Sequence, residues 1–206
     1  MARSRMSLRG RPGLRPVVTA AVASACACAA LAAFPKEARA DIGHFDLGLD
    51  GSANALLAPN PTQYNLSTLG AGFRVRAGDQ FHLQYQIKLT PEVGYAYNHI
   101  FAKNAYGEDN IQRVFAGARL GFGRWVIPTV YAHVGYGFQS VSLPNAPLAN
   151  ASTIPNSNGF TFDVGAAVEF KLARHLMIGP HFDYDMIAVT NGPQWISFGG
   201  HADILF

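Results

Sequence analysis

The chain has 206 residues, 49% of them hydrophobic, and a formal net charge of +3 at pH 7. This length suits one domain or one barrel and leaves no room for two sizeable domains. Of the 16 lysine and arginine residues, 7 precede residue 41, so the remainder carries 9 cations against 12 carboxylates, a net charge of −3. The basic balance of the whole chain therefore does not indicate a nucleic-acid-binding protein.

The first forty residues have the parts of a secretory signal peptide. Arginines come first, an alanine-rich apolar stretch follows from Val17 to Phe34, and Ala38 and Ala40 frame an A-x-A cleavage site. We expect a mature protein of residues 41–206. An uncleaved membrane anchor and a lipoprotein are the alternatives, but the alanine-rich run ends at a cleavage site, and neither cysteine has the leucine expected three positions before it. Both cysteines fall inside this segment, so the mature chain can form no disulfide.

From residue 41 onward hydrophobicity repeats every two residues, which predicts β-strands. In FTFDVGAAVEFK, from Phe160 to Lys171, apolar side chains occupy every second position. Such segments are predicted at residues 44–57, 64–76, 81–99, 110–123, 125–141, 159–173, 175–189 and 194–206. The third segment exceeds the roughly 9 to 11 residues that a spanning strand needs, and Pro91 lies in its middle.

The connections between these segments alternate in character. Tight turns are predicted at residues 77–80, 123–125 and 172–175, and longer polar or proline-rich loops at 58–63, 100–109, 142–158 and 190–193. Turns on one rim and loops on the other are typical of an outer-membrane barrel, with turns in the periplasm and loops outside the cell.

One face of the predicted strands is almost purely apolar, whereas the other carries charge. The charged positions are Asp46, Asp50, Arg74, Arg76, Glu92, Arg113, Arg119, Asp163, Glu169, Lys171, Asp183, Asp185 and Asp203. A soluble lipocalin-like barrel also has eight strands, but its core could not hold so many charges. We therefore predict an all-β fold, an eight-stranded antiparallel transmembrane β-barrel that is apolar outside and charged inside.

The chain ends on an aromatic residue. Phe198, Ile204 and Phe206 share the apolar face of the last strand, which resembles the C-terminal signature that the barrel-assembly machinery reads. With the signal peptide and segments such as LTPEVGYAY and AHVGYGF, the mature chain resembles the small OmpA/OmpX-type outer-membrane β-barrels. The resemblance implies insertion into the outer membrane of a Gram-negative bacterium, in contact with lipid and lipopolysaccharide. Because the chain stops at the barrel, no peptidoglycan-binding domain is expected.

The inward charges are segregated by strand. The second and fourth strands supply Arg74, Arg76, Arg113 and Arg119, while the first and the last three supply most of the acids. We expect ion pairs across the lumen. An eight-stranded lumen is narrow enough for side chains to fill, which favours a polar plug over a gated conduit for ions or small solutes.

The last two strands bring His181, Asp183, His201 and Asp203 close together. Such a cluster can bind a divalent metal or shuttle protons. The same residues also satisfy one another in buried networks, and we expect neither a metal nor another cofactor.

Some small outer-membrane barrels modify lipid A, but the sequence shows no matching catalytic pattern. His133 is followed by Val134 and Gly135 rather than by a serine at the second position, and Ser197 lies four residues from His201, too far for a direct hydrogen bond along a strand. We expect no enzyme activity.

Three functions follow in order of preference. The first is a non-enzymatic outer-membrane protein with a structural or surface-interaction role, the second a narrow porin-like channel, and the third a lipid A-modifying enzyme. The uncharged loop at residues 142–158 suits contact with an unknown surface ligand, or is simply solvated without a partner.

Overall fold

The computed structural model describes residues 44–58, 66–84, 86–102, 108–142 and 157–206. The predicted signal peptide, with Ala38 and Ala40, and most of the predicted loop 142–158 lie outside these ranges. The strands are β1 (His44–Ala58), β2 (Leu66–Gln84), β3 (Ile87–Ala102), β4 (Glu108–Phe122), β5 (Val126–Ser142), β6 (Asn158–Ala173), β7 (Leu176–Ile187) and β8 (Gln194–Leu205). They form one closed barrel in sequence order, with antiparallel neighbours and β1 paired to β8. The predicted fold class is confirmed.

Strict alternation of side chains sets the two surfaces of the barrel. In β6, exposed and buried residues alternate from Asn158 to Glu169, because successive side chains of a strand point to opposite faces. Phe160 is 70% exposed on the outer face, whereas Asp163 is 1% exposed on the inner face. The apolar half of the pattern therefore faces outwards, and the charged half lines the lumen.

This distribution is the reverse of that in a water-soluble protein. The outer surface presents phenylalanine, leucine, valine and isoleucine from all eight strands, while aspartate, glutamate and arginine are buried. A closed barrel leaves no unpaired strand edge, so such a surface suits lipid. No helix within the described ranges is long and apolar enough to span a membrane.

The turn predicted at residues 77–80 is wrong. β2 continues through these residues, which pair with β1 from His44↔Gln80 to Leu47↔Ala77, and β2 meets β3 only where Gln84 pairs with Ile87. Gly78 and Asp79 resemble a turn in composition. Gly78 instead serves close packing, since a Cβ there would lie 2.6 Å from the backbone oxygen of Pro91.

This correction also resolves the overlong third segment. Residues 81–84 complete β2, and β3 begins only at Ile87. Pro91 lies within β3, on the outer face opposite Ala118 of β4.

The tight turn predicted at residues 123–125 is confirmed, and the one predicted at 172–175 is confined to residues 174–175, because β6 continues to Ala173. Gly123 has φ of +126°, a conformation that glycine adopts without steric cost. We call this end of the barrel, where Gln84 of β2 also pairs with Ile87 of β3, the turn side, and the opposite end the loop side. The β7–β8 connection, residues 188–193, is on the loop side and contains Asn191 at φ of 59°.

Candidate functional site: the charged lumen

The lumen holds more buried acids than bases. Among the residues whose burial the structure describes, nine carboxylates are buried, against five lysine and arginine side chains and three histidines: Asp46, Asp50, Glu92, Asp109, Asp163, Glu169, Asp183, Asp185 and Asp203, against Arg74, Arg76, Lys88, Arg113 and Arg119, with His133, His181 and His201. Isolated buried charges are costly, so each needs a partner. The contacts among them fall into two groups.

The loop-side group is formed by Arg74, Arg113, Asp163, Asp183 and Asp185. Arg113 places Nη1 2.8 Å from Asp163 and Nη2 2.5 Å from Asp185. Arg74 lies with Nη2 3.3 Å from Asp183 and 3.9 Å from Asp185. The arginines come from β2 and β4 and the acids from β6 and β7, so these ion pairs cross the barrel.

The turn-side group is formed by Arg76, Arg119, Glu92, Glu169 and Asp203. Arg76 places Nη2 2.5 Å from Asp203 and Nη1 3.5 Å from Glu92. Arg119 lies 2.8 Å from Glu169, 3.6 Å from Glu92 and 3.7 Å from Asp203. Four strands, β3, β4, β6 and β8, are thereby tied to β2 through the interior.

Two side chains connect the groups. His133 places Nε2 2.7 Å from Glu92 and Nδ1 2.6 Å from Asp163, so it bridges one acid of each group. Asp50 lies 3.1 Å from Arg76 and 3.8 Å from Arg74. The result is one continuous polar network, in which the position of each member depends on the others.

Aromatic rings fill the space between the guanidinium groups. The Phe115 ring lies 5.5 Å from the Arg74 guanidinium and 5.6 Å from that of Arg113. The Tyr131 ring lies 5.1 Å from the Arg119 guanidinium, and its hydroxyl donates a hydrogen bond to Asp183. Cation–π contacts of this kind separate like charges and exclude water from between them.

An apolar cluster, the loop-side cluster, lies in the barrel near the loop side of the network. Five fully or almost fully buried side chains form it: Leu56, Ile100, Ile111, Ile187 and Trp195. They come from β1, β3, β4, β7 and β8, and none is more than 4% exposed. A smaller cluster of Ile127, Met177 and Leu205 packs near the turn side.

The predicted cluster of His181, Asp183, His201 and Asp203 is only partly brought together. The two imidazole rings lie 5.9 Å apart, and each Nε2 faces the aspartate two residues on, at 3.5 and 3.6 Å. The aspartates belong to different groups, because Asp183 contacts Arg74 and Asp203 contacts Arg76.

Glu169, His201 and Asp203 place ligand atoms within 4.8 Å of one another, which is a spacing that could hold a metal ion. Both carboxylates already contact arginine, since Arg119 lies 2.8 Å from Glu169 and Arg76 2.5 Å from Asp203. A divalent cation would have to displace these guanidinium groups or lie beside them. The donor set therefore suits an ion-pair network better than a metal.

Besides Asp50, His181 and His201, two further predicted lumen residues lie outside both groups. Asp46 is buried near the turn side, and Lys171 is half-buried at the turn-side opening. The predicted assembly residues Phe198, Ile204 and Phe206 are 64%, 45% and 65% exposed on the outer surface. The role of these three in assembly stays a prediction.

Several buried lumen residues were not predicted from the sequence to line the lumen. His133 and Tyr131 lie on the inward face of β5, and Lys88 lies on that of β3. Asp109 accepts a hydrogen bond from Gln139 at 2.7 Å near the loop side. The period of two could have found all of them: Lys88 and Asp109 share the parity of Glu92 and Arg113 on their own strands, and Tyr131 and His133 alternate with the outward-facing valines of β5.

No protein-family model matches the chain, and no curated protein matches its sequence. Solved structures do match its fold. The attachment invasion locus protein Ail of Yersinia pestis is 12% identical, with a TM-score of 0.54 over 81% of this chain and 100% of that one. Neisserial surface protein A is 13% identical, with a TM-score of 0.56 over 79% of this chain and 97% of that one.

The outer-membrane protein OprG from Pseudomonas aeruginosa also matches, at 10% identity and a TM-score of 0.50 over 80% of this chain and 96% of that one. At these identities the likeness concerns the fold alone. The chain therefore has the fold of the small eight-stranded outer-membrane β-barrels, as the sequence predicted.

Proposed function

We propose that the protein is a non-enzymatic outer-membrane β-barrel with a closed interior, and that its role is structural or one of surface contact. The observation that carries this proposal is the filled lumen. The loop-side cluster draws side chains from five strands, and the ion-pair network lies beneath it. An interior of this kind ties the strands together from within and leaves the loops and outer wall for interactions.

The closed interior argues against the porin-like alternative. An ion entering from the loop side would have to pass the buried ring of Trp195 and three buried isoleucines before it reached the ion-pair network. Dry apolar constrictions are barriers to ions. The arginines beneath are engaged with acids, so an ion passing them would have to separate existing ion pairs.

The contacts of Ser197 argue against the enzyme alternative. Its hydroxyl donates a hydrogen bond to Asp185 at 3.0 Å. A serine nucleophile needs a histidine or other base to receive its proton, and Asp185 is instead held by Arg113 at 2.5 Å. We propose that lipid A is an environment of this barrel rather than its substrate.

A surface role is supported by the kind of protein that shares the fold. Ail, one of the matching structures, is named as an attachment invasion protein. Loops on a rigid scaffold commonly carry binding, and the long uncharged sequence of residues 142–158 is the first place to look. Deleting residues 144–156 should abolish contact with a surface ligand while leaving barrel folding intact.

The outer-membrane location and the cleaved signal belong to the same proposal. Outward apolar residues on all eight strands support the location. Fractionation should recover the protein with outer membranes, and its N-terminal sequence should begin at Asp41. Recovery from the soluble periplasm would overturn the proposal.

Conductance tests the closed interior directly. The protein is refolded in detergent, inserted into a planar bilayer and recorded beside a known porin, with insertion verified by protease protection. We expect no discrete current steps. Reproducible steps that change when Arg119 is replaced by glutamine would instead establish the channel.

A further inference from the structure

We propose that the turn-side opening of the barrel is a binding site for a phosphate group. A cavity of about 170 Å³ opens there, lined by His44, His82, Lys88, Lys171, Arg174 and His175, with Gln80 and Leu205. The lining contains three permanent cations and three histidines and no carboxylate. This site is separate from the closed interior on which the proposed function rests.

The cations at this opening differ from every arginine deeper in the lumen. Arg74, Arg76, Arg113 and Arg119 all form ion pairs. By contrast, no ion pair joins Lys88, Lys171 or Arg174 to a carboxylate within the described ranges. Their charges are therefore available to a ligand.

Lys88 shows that the site is built rather than accidental. Its side chain lines the cavity yet the residue is only 8% exposed, and a buried ammonium without a carboxylate partner is costly. Asp46 and Glu169 attract Lys88 from deeper in the barrel, but Glu169 is already 2.8 Å from Arg119. An anion in the cavity would supply the missing counter-charge.

The donor set matches a phosphate group. Two amines and a planar guanidinium offer charge-assisted hydrogen bonds from several directions, which is the arrangement that phosphate oxygens accept. His44 and His82 pack edge to face with ring centroids 6.5 Å apart. His175 is held in place by a 2.9 Å contact between Nδ1 and the Leu205 carbonyl. The cavity has room for the ligand and a few waters.

The acidic network deeper in the lumen determines how far the anion can enter the barrel. Apart from Lys88 at the opening, the described part of the buried interior carries nine carboxylates against four arginines, so an anion is attracted to the opening and repelled from the deeper lumen. The anion therefore binds at the opening and does not pass through the lumen. A phosphate there could come from a free anion or from the headgroup of a membrane lipid at the same rim.

Titration calorimetry on the protein refolded in a maltoside detergent, which contains no phosphate, tests the site. One arm uses inorganic phosphate and the other a short-chain phosphatidylglycerol. We expect saturable binding in at least one arm, weakened about tenfold by Lys88→Gln and by Arg174→Gln, the value of one charge-assisted hydrogen bond.

Arg124→Gln is the matched control, because Arg124 lies at the neighbouring turn, exposed and outside the cavity lining. Each variant must retain β-sheet circular dichroism. If Lys88→Gln and Arg174→Gln weaken the binding of inorganic phosphate, the site is assigned to free anions. If they weaken only the binding of the lipid, it is assigned to a headgroup. Absence of binding in both arms, or equal weakening by all three substitutions, would overturn the proposal.

Discussion

His133 of β5 contacts Glu92 of β3 and Asp163 of β6 at once, with its two ring nitrogens 2.7 and 2.6 Å from their carboxylate oxygens. Both contacts are satisfied when both nitrogens carry hydrogen and donate, which is the doubly protonated imidazolium. In that state the ring supplies a positive charge to both acids, and through these two contacts it joins the two ion-pair groups of the lumen.

Replacement of His133 by phenylalanine should therefore destabilise the barrel. The substitution keeps a ring in place but leaves two buried carboxylates without their shared donor, a change that costs about 3 to 5 kcal/mol when one partner of a buried pair is removed. Urea unfolding in detergent, followed by tryptophan fluorescence, measures the difference in free energy.

His44→Gln is the control for this measurement, because His44 is exposed at the start of β1. It should change the free energy of unfolding by no more than about 0.5 kcal/mol. Equal effects of the two substitutions would contradict the bridging role of His133.

Tyr131→Phe removes one hydroxyl from the network and nothing else. That hydroxyl donates to Asp183 in the buried lumen, so its loss leaves a buried acceptor unsatisfied and should cost about 1 to 3 kcal/mol. Tyr95→Phe makes the same deletion on the outer face, where Tyr95 is 37% exposed. If both variants unfold at the same urea concentration, the hydroxyl of Tyr131 contributes nothing to the network.

The sequence predicted the faces of the strands better than their ends. The period of two placed Arg113 and Asp163 on inward faces because it depends only on the backbone geometry of a strand. The predicted turn at Gly78 and Asp79 was wrong, because turn-type residues also occur inside a strand where a neighbouring backbone approaches closely.

The pairing of charges could not be predicted in the same way. Which acid Arg113 meets depends on strand tilt and stagger in the closed barrel, and these are properties of all eight strands together. The contacts with Asp163 and Asp185, 50 and 72 positions further along the chain, were therefore visible only in the structure.

The corrected position of the first turn can be tested by insertion. A short Gly-Ser insertion after Gln86 falls between the end of β2 and the start of β3, where added residues are tolerated. The same insertion after Gly78 interrupts pairing with both β1 and β3. We expect the first variant to fold with heat-modifiable mobility on gels and the second to lose it. The opposite result would restore the turn at residues 77–80.

The two tryptophans report on opposite environments. Trp195 is completely buried in the loop-side cluster, whereas Trp125 is 73% exposed at the β4–β5 turn. In the Trp125→Phe variant the fluorescence comes from Trp195, and acrylamide should quench it weakly. In the Trp195→Phe variant it comes from Trp125, and acrylamide should quench it readily. Easy quenching of Trp195 in folded protein would show that solvent enters the loop side and that the lumen is open.

Truncation of each tryptophan to alanine extends this comparison to stability. Trp195→Ala should destabilise the barrel by about 3 to 5 kcal/mol, because it leaves a cavity among Leu56, Ile100, Ile111 and Ile187. Trp125→Ala removes the same atoms from an exposed site and should cost clearly less. Equal losses in urea unfolding would contradict a packed loop-side cluster.

Substitution of the last residue tests whether the assembly machinery recognises the last strand. Phe206 is 65% exposed; its backbone N–H donates to the Phe45 carbonyl at 2.9 Å, and the two rings lie 6.1 Å apart. Phe206→Ala keeps the backbone bond, so refolding in detergent should remain close to that of the wild type. Assembly in cells should fall if the machinery reads the side chain.

Phe170→Ala is the control, since Phe170 is 41% exposed on the outer face near the turn-side end of β6. The amount of heat-modifiable protein in outer-membrane fractions, normalised to total synthesis, measures assembly for each variant. A deficit for Phe206→Ala alone, with normal refolding, separates recognition from stability. Equal levels for both variants would mean that Phe206 serves only the packing against Phe45.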